Sequence, residues 1–285
     1  MSSETTGFTT TSDALYQLIK SAGGEVFERQ TQFKGWNVDN IVQHLHFFND
    51  AAYLSLTDEV AFDAYYESLN ARRRGGETLI EATDHELEGS RGDLLLERWR
   101  EGYQRVGAAF SAADPKMRVK WVGPDMSARS SISARMMETW AHAQAVYDLL
   151  GVSRQDNGAH LRSIAYLGIN TFGWSFRNRK KPVPEPSPYV VLSGPSGSVW
   201  TWNEPSDADR IEGAAVEFCQ VVTQTRNVAD TALELHGDTA KRWMDIAQCF
   251  AGPPRTPPPP GTRGPNAPPW QGPPRDTMVS SSMRN

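Results

Sequence analysis

The sequence predicts an α+β, mainly α protein: a four-helix bundle, then a small α+β domain, then a proline-rich tail. Three observations carry this. Apolar residues recur at three- and four-residue spacing through the first half of the chain, the period of a helix with one buried face. Two β-rich runs flank a Gly-Pro-Ser-Gly turn in "YVVLSGPSGSVWTW", a hairpin signature. From Pro253 onward proline dominates and apolar residues nearly vanish.

The elements follow in order. Residues 1–10 read as a flexible leader. Residues 11–155 form the bundle, beginning with "SDALYQLIKSAG", capped by Ser12 or Asp13. A helix from Trp36 to about Leu56 is capped by Asn37, with Ile41, Leu45, Phe48 and Ala52 at helical spacing. "DEVAFDAYYESLNARRR" and "GDLLLERWREGYQRVGAAFSAA" supply two more helices, the second ending before Asp114-Pro115. "SISARMMETWAHAQAVYDLLG" is another, with Gly151 in the usual terminating position. Residues 156–254 form the α+β unit: a linking helix from His160, the hairpin, helices over "DRIEGAAVEFCQVVTQT" and "TAKRWMDIAQCFAG", and a short strand in "ADTALELHGD". Residues 255–285 read as a disordered tail, because a proline-rich stretch has few backbone donors and little apolar surface to bury.

Composition removes several function classes. The net charge is -5, which disfavours a nucleic-acid binder, since phosphate affinity rests on Lys and Arg. The basic run Arg177 to Lys181 is short and reads as a solvated loop. The only two cysteines, Cys219 and Cys249, sit in apolar helical contexts, where free cysteine acts as a small hydrophobe. No run of about 18 apolar residues occurs, so no membrane span is expected. The polar N-terminus lacks the apolar core of a signal peptide, which leads to an expected cytoplasmic location.

Chemistry concentrates on the last bundle helix. Arg135, Glu138 and His142 interrupt an otherwise apolar segment, and spacings of three and four place them on one stripe. Burying a carboxylate beside an imidazole without a partner costs several kcal/mol. A divalent ion neutralises both, binding the carboxylate ionised and the imidazole neutral. His44 lies on the inward stripe Ile41-His44-Phe48-Ala51. Two imidazoles and one carboxylate from facing helices suit zinc or another transition ion and leave a coordination position open.

The other histidines read differently. His46 is rotated about 200° from His44 and is expected at the bundle boundary, bonded to Asp50. His85 and His160 are expected on loops, caps or the surface. His236 is a candidate for substrate contact from the second domain. Arg135 has two readings, a substrate carboxylate or a structural ion pair with Glu138.

"GWNVDNIVQHL" followed later by "ETWAHAQAVYDLLG" resembles the DinB-like, mycothiol-dependent maleylpyruvate isomerase metal-binding family, and the likeness extends over most of residues 12–254. The resemblance implies that His44, Glu138 and His142 hold the ion, usually zinc. It also implies that the α+β unit contributes an arginine, whose nearest match is Arg226. A low-molecular-weight thiol, mycothiol or glutathione, is the implied second cofactor. The implied reaction is Lewis-acid or thiol-assisted isomerisation of a small carbonyl- or carboxylate-bearing substrate. A thiolate that adds to an activated alkene permits rotation and then leaves; if it stays, the step is a transfer. Thiol S-transferase and metal-dependent hydrolase are the alternatives within the family, and a non-catalytic metal- and ligand-binding protein is the alternative outside it. The expected partner is a small molecule, not nucleic acid or membrane.

Overall fold

The structure is a computed structural model and describes residues 3–156 and 158–272. Helix α1 (Ser3–Ala22), α2 (Val38–Thr57), α5 (Gly92–Ala112) and α6 (Ala128–Leu150) form the bundle, with α1 packed on α5 and α6, and α2 on the same pair. α3 (Glu59–Arg74) and α4 (Leu79–Glu86) cover the outer side of α2. A ribbon of β1 (Arg118–Val119) and β2 (Met126–Ser127) leads into α6. Trp99, Tyr103, Trp140, Phe8 and Leu15 fill the core.

Residues 3–10 of the expected leader are helical, and residues 1–2 lie outside the described residues. Residues 3–10 form the first turns of α1, with Thr5, Gly7 and Phe8 buried. Small side chains are what close helix packing needs: a Cβ on Gly7 would come within 2.6 Å of Met136 Sδ. A Ser/Thr/Gly-rich stretch therefore reads as polar linker in sequence and serves as a helix interface in space.

Capping fixes the two helices that matter most for function. Asn37 accepts from the Asn40 backbone N–H at 2.8 Å, and the Asn40 side chain accepts from the Asn37 N–H at 3.2 Å. This reciprocal pair satisfies two donors that an α-helix start leaves orphaned. Ser127 caps α6 through the Ser130 N–H at 3.1 Å. Gly151, at φ 66°, ends the same helix in the left-handed conformation.

Helix α7 (Gly158–Asn170) links the bundle to α8 (Phe172–Arg177) and a four-stranded sheet. The sheet comprises β3 (Tyr189–Ser193), β4 (Val199–Trp202), β5 (Arg210–Ala214) and β6 (Glu234–His236), in the order β4-β3-β5-β6. β3 pairs antiparallel with β4 and parallel with β5. The expected helix from Asp209 is half strand: Arg210–Ala214 pairs with β3 and β6, and only Ala215–Val222 is helical, as α9. Helix α10 (Asp238–Met244) follows β6. Cys219 and Cys249 are buried free thiols.

Residues 255–272 are not a disordered tail. They fold back over the bundle, with Pro258 and Gly264 buried. Gln32 brackets Gly264, accepting from its N–H at 2.8 Å and donating to its carbonyl at 3.1 Å and to the Ala267 carbonyl at 2.9 Å. Asn227 donates to the Pro258 carbonyl at 2.8 Å, and the Gly261 N–H donates to Asp230 at 2.8 Å. A proline segment lacks donors but keeps its carbonyls, and amide side chains of the body satisfy them. The remainder of the expected tail, 273–285, lies outside the described residues.

The bundle and the second domain are tied by an ion pair. Arg226, past the end of α9, makes a two-pronged contact with Asp148 of α6, at 2.8 Å and 2.7 Å, and both side chains are buried. Removing one partner of such a pair leaves a buried charge uncompensated. Arg226→Ala is expected to lower the unfolding free energy by about 3 kcal/mol, read by denaturant titration. Arg226→Met combined with Asp148→Leu should recover part of that loss.

Candidate metal centre

α2 and α6 cross so that His44, Glu138 and His142 present their ligand atoms within 4.8 Å of one another. Glu138 Oε2 lies 3.3 Å from His142 Nε2 and 3.7 Å from His44 Nε2. The first is a long hydrogen bond and the second is none. Both are close to the edge of a tetrahedron about an ion with bonds of about 2.1 Å, which is roughly 3.4 Å. The donor set of two neutral imidazoles and one carboxylate therefore fits a divalent ion such as zinc in both chemistry and spacing. Among the described residues, no fourth His, Cys, Asp or Glu joins this group.

Aromatic rings hold the imidazoles in place. Trp36 stacks on His142 with ring centres 5.8 Å apart and planes 5° from parallel, and Phe33 meets the same ring edge-on at 4.9 Å. Phe48 lies 4.8 Å from His44. The Nδ1 atoms of both histidines are buried without a hydrogen-bond partner among the described residues. Ring orientation here comes from packing, where many metal sites use a hydrogen bond to the second ring nitrogen.

Electrostatics agree with that donor set. Burial, then the neighbouring His142, lowers the His44 pKa to about 4 against the opposing pull of Glu138, so the ring is neutral at neutral pH. Burial pushes the Glu138 carboxyl up, but the imidazoles of His142 and His44 and the Arg135 charge outweigh it and hold the group well below the carboxylate range. Neutral imidazole and ionised carboxylate are the ligand forms.

The three donors open onto a cavity of about 220 Å³ between the bundle, the second domain and the folded-back segment. A water molecule occupies about 30 Å³, so the space accommodates a small organic molecule. Phe33, Trp36, Leu79, Met137, Phe250 and Pro258 supply its apolar walls.

Neither predicted arginine lines this cavity. Arg135 is buried, donates from Nε to Asn49 at 3.1 Å and sits 5.9 Å from the Phe48 ring. Arg226 is held by Asp148. The cationic side chains in the wall are Lys34, Arg255 and Arg263, which sequence reasoning missed. Lys34 lies in the "FKGW" turn just before α2, and the arginines lie in the stretch read as tail. Arginine recurring in a proline-rich segment was the available signal.

The remaining histidines lie elsewhere. His46 is buried, with Nδ1 3.7 Å from Asp50 Oδ2, too far for the expected hydrogen bond; Arg105 takes that carboxylate at 2.6 Å. His85 lies in the last turn of α4 and is exposed. His160 is buried on α7 beside Asp156 at 3.2 Å, not at the surface. His236 stands on exposed β6 near Glu234, away from the cavity lining.

This arrangement, a helical bundle with an inward His/Glu/His set, defines a class, the DinB-like proteins. Residues 8–147 match the family model described as "Mycothiol maleylpyruvate isomerase N-terminal domain", and the chain belongs to that family. An uncharacterized protein of Mycobacterium tuberculosis, found in two strains, is 36% identical over 244 residues, 85% of this chain and 93% of that protein. A crystal structure of the mycothiol-dependent maleylpyruvate isomerase overlays with a TM-score of 0.49 at 17% identity, covering 76% of this chain and 86% of that one. A histidine-to-alanine mutant of that isomerase gives the same score at 16% identity. Among the described residues, no helix is long and apolar enough to cross a membrane.

Two outcomes are expected. Purified protein carries about one divalent ion per chain by elemental analysis, and His44→Ala, Glu138→Gln and His142→Ala each reduce metal affinity by tenfold or more. In metal-free protein, a histidine in the unfolded chain takes a proton near pH 6.5, whereas folded His44 does so only near 4. Acid therefore favours the unfolded state across that window, so stability present above pH 6.5 is lost as pH falls toward 4. Thermal melts of His44→Gln should show a shallower decline over the same range.

Proposed function

We propose that this protein is a metal-dependent enzyme that uses a low-molecular-weight thiol to isomerise a small carbonyl- or carboxylate-bearing substrate. The observation that carries the reading is the convergence of three donors, spaced for an ion, on the floor of a cavity sized for a small molecule. The ion, most simply zinc, is held by His44, Glu138 and His142. When bound it supplies Lewis acidity, which lowers the pKa of a thiol or polarises a carbonyl. Three protein donors rather than four favour catalysis over a purely structural site. The family description, which names mycothiol and maleylpyruvate isomerase, supports a thiol as the second reactant and isomerisation as the reaction class.

The chain's own groups supply position and exclusion. Trp36 and Phe33 hold His142 edge and face, so its Nε2 stays aimed at Glu138. Their rings, with Met137 and Phe250, keep the floor of the cavity apolar, and charge interactions strengthen where water is excluded. The buried thiols Cys219 and Cys249 are not cavity residues. Burial pushes both well above the usual cysteine range, which leaves the nucleophilic sulfur to an external molecule.

The decisive measurement is turnover of a cis-configured activated alkene acid with zinc-loaded protein, with and without added mycothiol or glutathione. Cis–trans conversion that requires both thiol and metal, and falls at least a hundredfold in His142→Ala, is the expected result. Net consumption of thiol would instead identify a transferase. Conversion that proceeds at the same rate without thiol would overturn the reading.

A further inference from the structure

The metal cavity has a cationic wall, whose nearest acids, Glu138 and Asp148, are engaged by the two imidazoles and by Arg226. Lys34 reaches it from the turn before α2, where Lys34 and Gly35 take left-handed φ values of 55° and 69°. Arg255 and Arg263 reach it from the proline-rich segment. Among the described residues, no acidic side chain forms an ion pair with any of the three. The one carboxylate in the cavity, Glu138, is already engaged by two imidazoles.

Two of the cations are held by side-chain contacts, and the third by the backbone that carries it. Arg263 donates to the Gln224 carbonyl at 2.6 Å and lies 5.0 Å over the Phe33 ring. Lys34 Nζ sits 4.8 Å from the Phe33 ring centre and 5.5 Å from that of Trp36. Phe33 is thus shared by both. Arg255 is fixed through its backbone: its N–H donates to Gln248 at 2.9 Å, and its carbonyl accepts from Gln224 at 3.0 Å and from Arg179. Burial, then the charges of Arg255 and Arg263, lower the Lys34 pKa to about 8. Like charges gathered at mutual cost, in a chain of net charge -5, call for an anion.

The segment that delivers the arginines is built to stay. Gln32, two residues before Lys34, clasps Gly264 from both sides. A Cβ on Gly35 would come within 2.4 Å of Trp270 Nε1, so the turn and the segment pack in direct contact. The same turn therefore sets Lys34, Trp36 and the arginine-bearing segment together.

We propose that Lys34, Arg255 and Arg263 form an anion subsite that takes a substrate carboxylate opposite the metal, making the proline-rich segment part of the active site. This rests on the proposed function for the choice of a carboxylate; the same wall could receive any small oxyanion. Arg226, tied to Asp148, is not part of it.

The test is calorimetric titration of succinate, dimethyl succinate and inorganic phosphate into full-length protein, metal-free and zinc-loaded. Succinate should bind the metal-free wild type, and dimethyl succinate should not. A charged hydrogen bond is worth roughly 1.5–3 kcal/mol, so Arg255→Gln with Arg263→Gln should weaken succinate about tenfold or more. Arg263 packs on Phe33, so its variants are checked by melting temperature; Arg255→Gln alone, on an exposed side chain, should still weaken succinate several-fold. Because succinate is titrated into metal-free protein as well, absence of zinc binding leaves the succinate result standing, which separates failure of the metal reading from failure of this one. No succinate binding by the wild type, unchanged affinity in the arginine variants, or equal binding of the diester overturns the subsite. Phosphate that binds tighter than succinate through the same residues overturns the assignment to a carboxylate.

Discussion

Glu138 is a carboxylate in the wall of an apolar helix bundle, and the rest of the structure is arranged around that fact. An ionised acid taken out of water costs several kcal/mol unless it is neutralised. Here two imidazoles from α2 and α6 face it at 3.3 Å and 3.7 Å, distances that suit an intervening ion better than direct bonds. The caps on Asn37 and Ser127 set where each helix starts, and so which turn carries each donor. The rings of Trp36, Phe33 and Phe48 then hold the imidazoles by packing.

A second constraint comes from the proline-rich segment. Proline offers carbonyls without N–H donors, so such a chain cannot build a sheet or helix of its own here. It can still be ordered if the body presents donors, and Gln32, Asn227, Gln224 and Arg179 do so. The stiffness of proline lowers the entropy lost on docking, and the arginines carried along reach the cavity. A stretch with the composition of a linker thus becomes the cavity's outer wall.

The two domains meet through α7 and through the Asp148–Arg226 pair. Because α6 carries Glu138 and His142 at one level and Asp148 further along, one helix both supplies two of the three candidate donors and anchors the second domain. The cavity depends on that anchoring, since Thr223, Gln224 and Thr225, next to Arg226, line its wall. Stability of the interface and shape of the site are coupled through a single helix.

The fold class was legible from helical periodicity and the Gly-Pro-Ser-Gly turn, because both are local and each residue type votes for its own backbone. The i, i+4 pairing of Glu138 and His142 was legible for the same reason, and the inward stripe marked His44 as its candidate partner. The first turns of α1 were not, since Thr5 and Gly7 read as flexible leader, although both are buried and Met136 packs against Gly7. Nor was β5, where Ile211 and Ala214 suit a helix until β3 offers a parallel edge. Arg226 matched a motif but faces Asp148, while Arg255 and Arg263 matched none and face the cavity. By itself the sequence determined which residues could bind an ion and on which helices they ride. Only the tertiary structure decided which charges face the cavity that these donors line, because orientation across a cavity depends on contacts between segments more than a hundred residues apart in the chain.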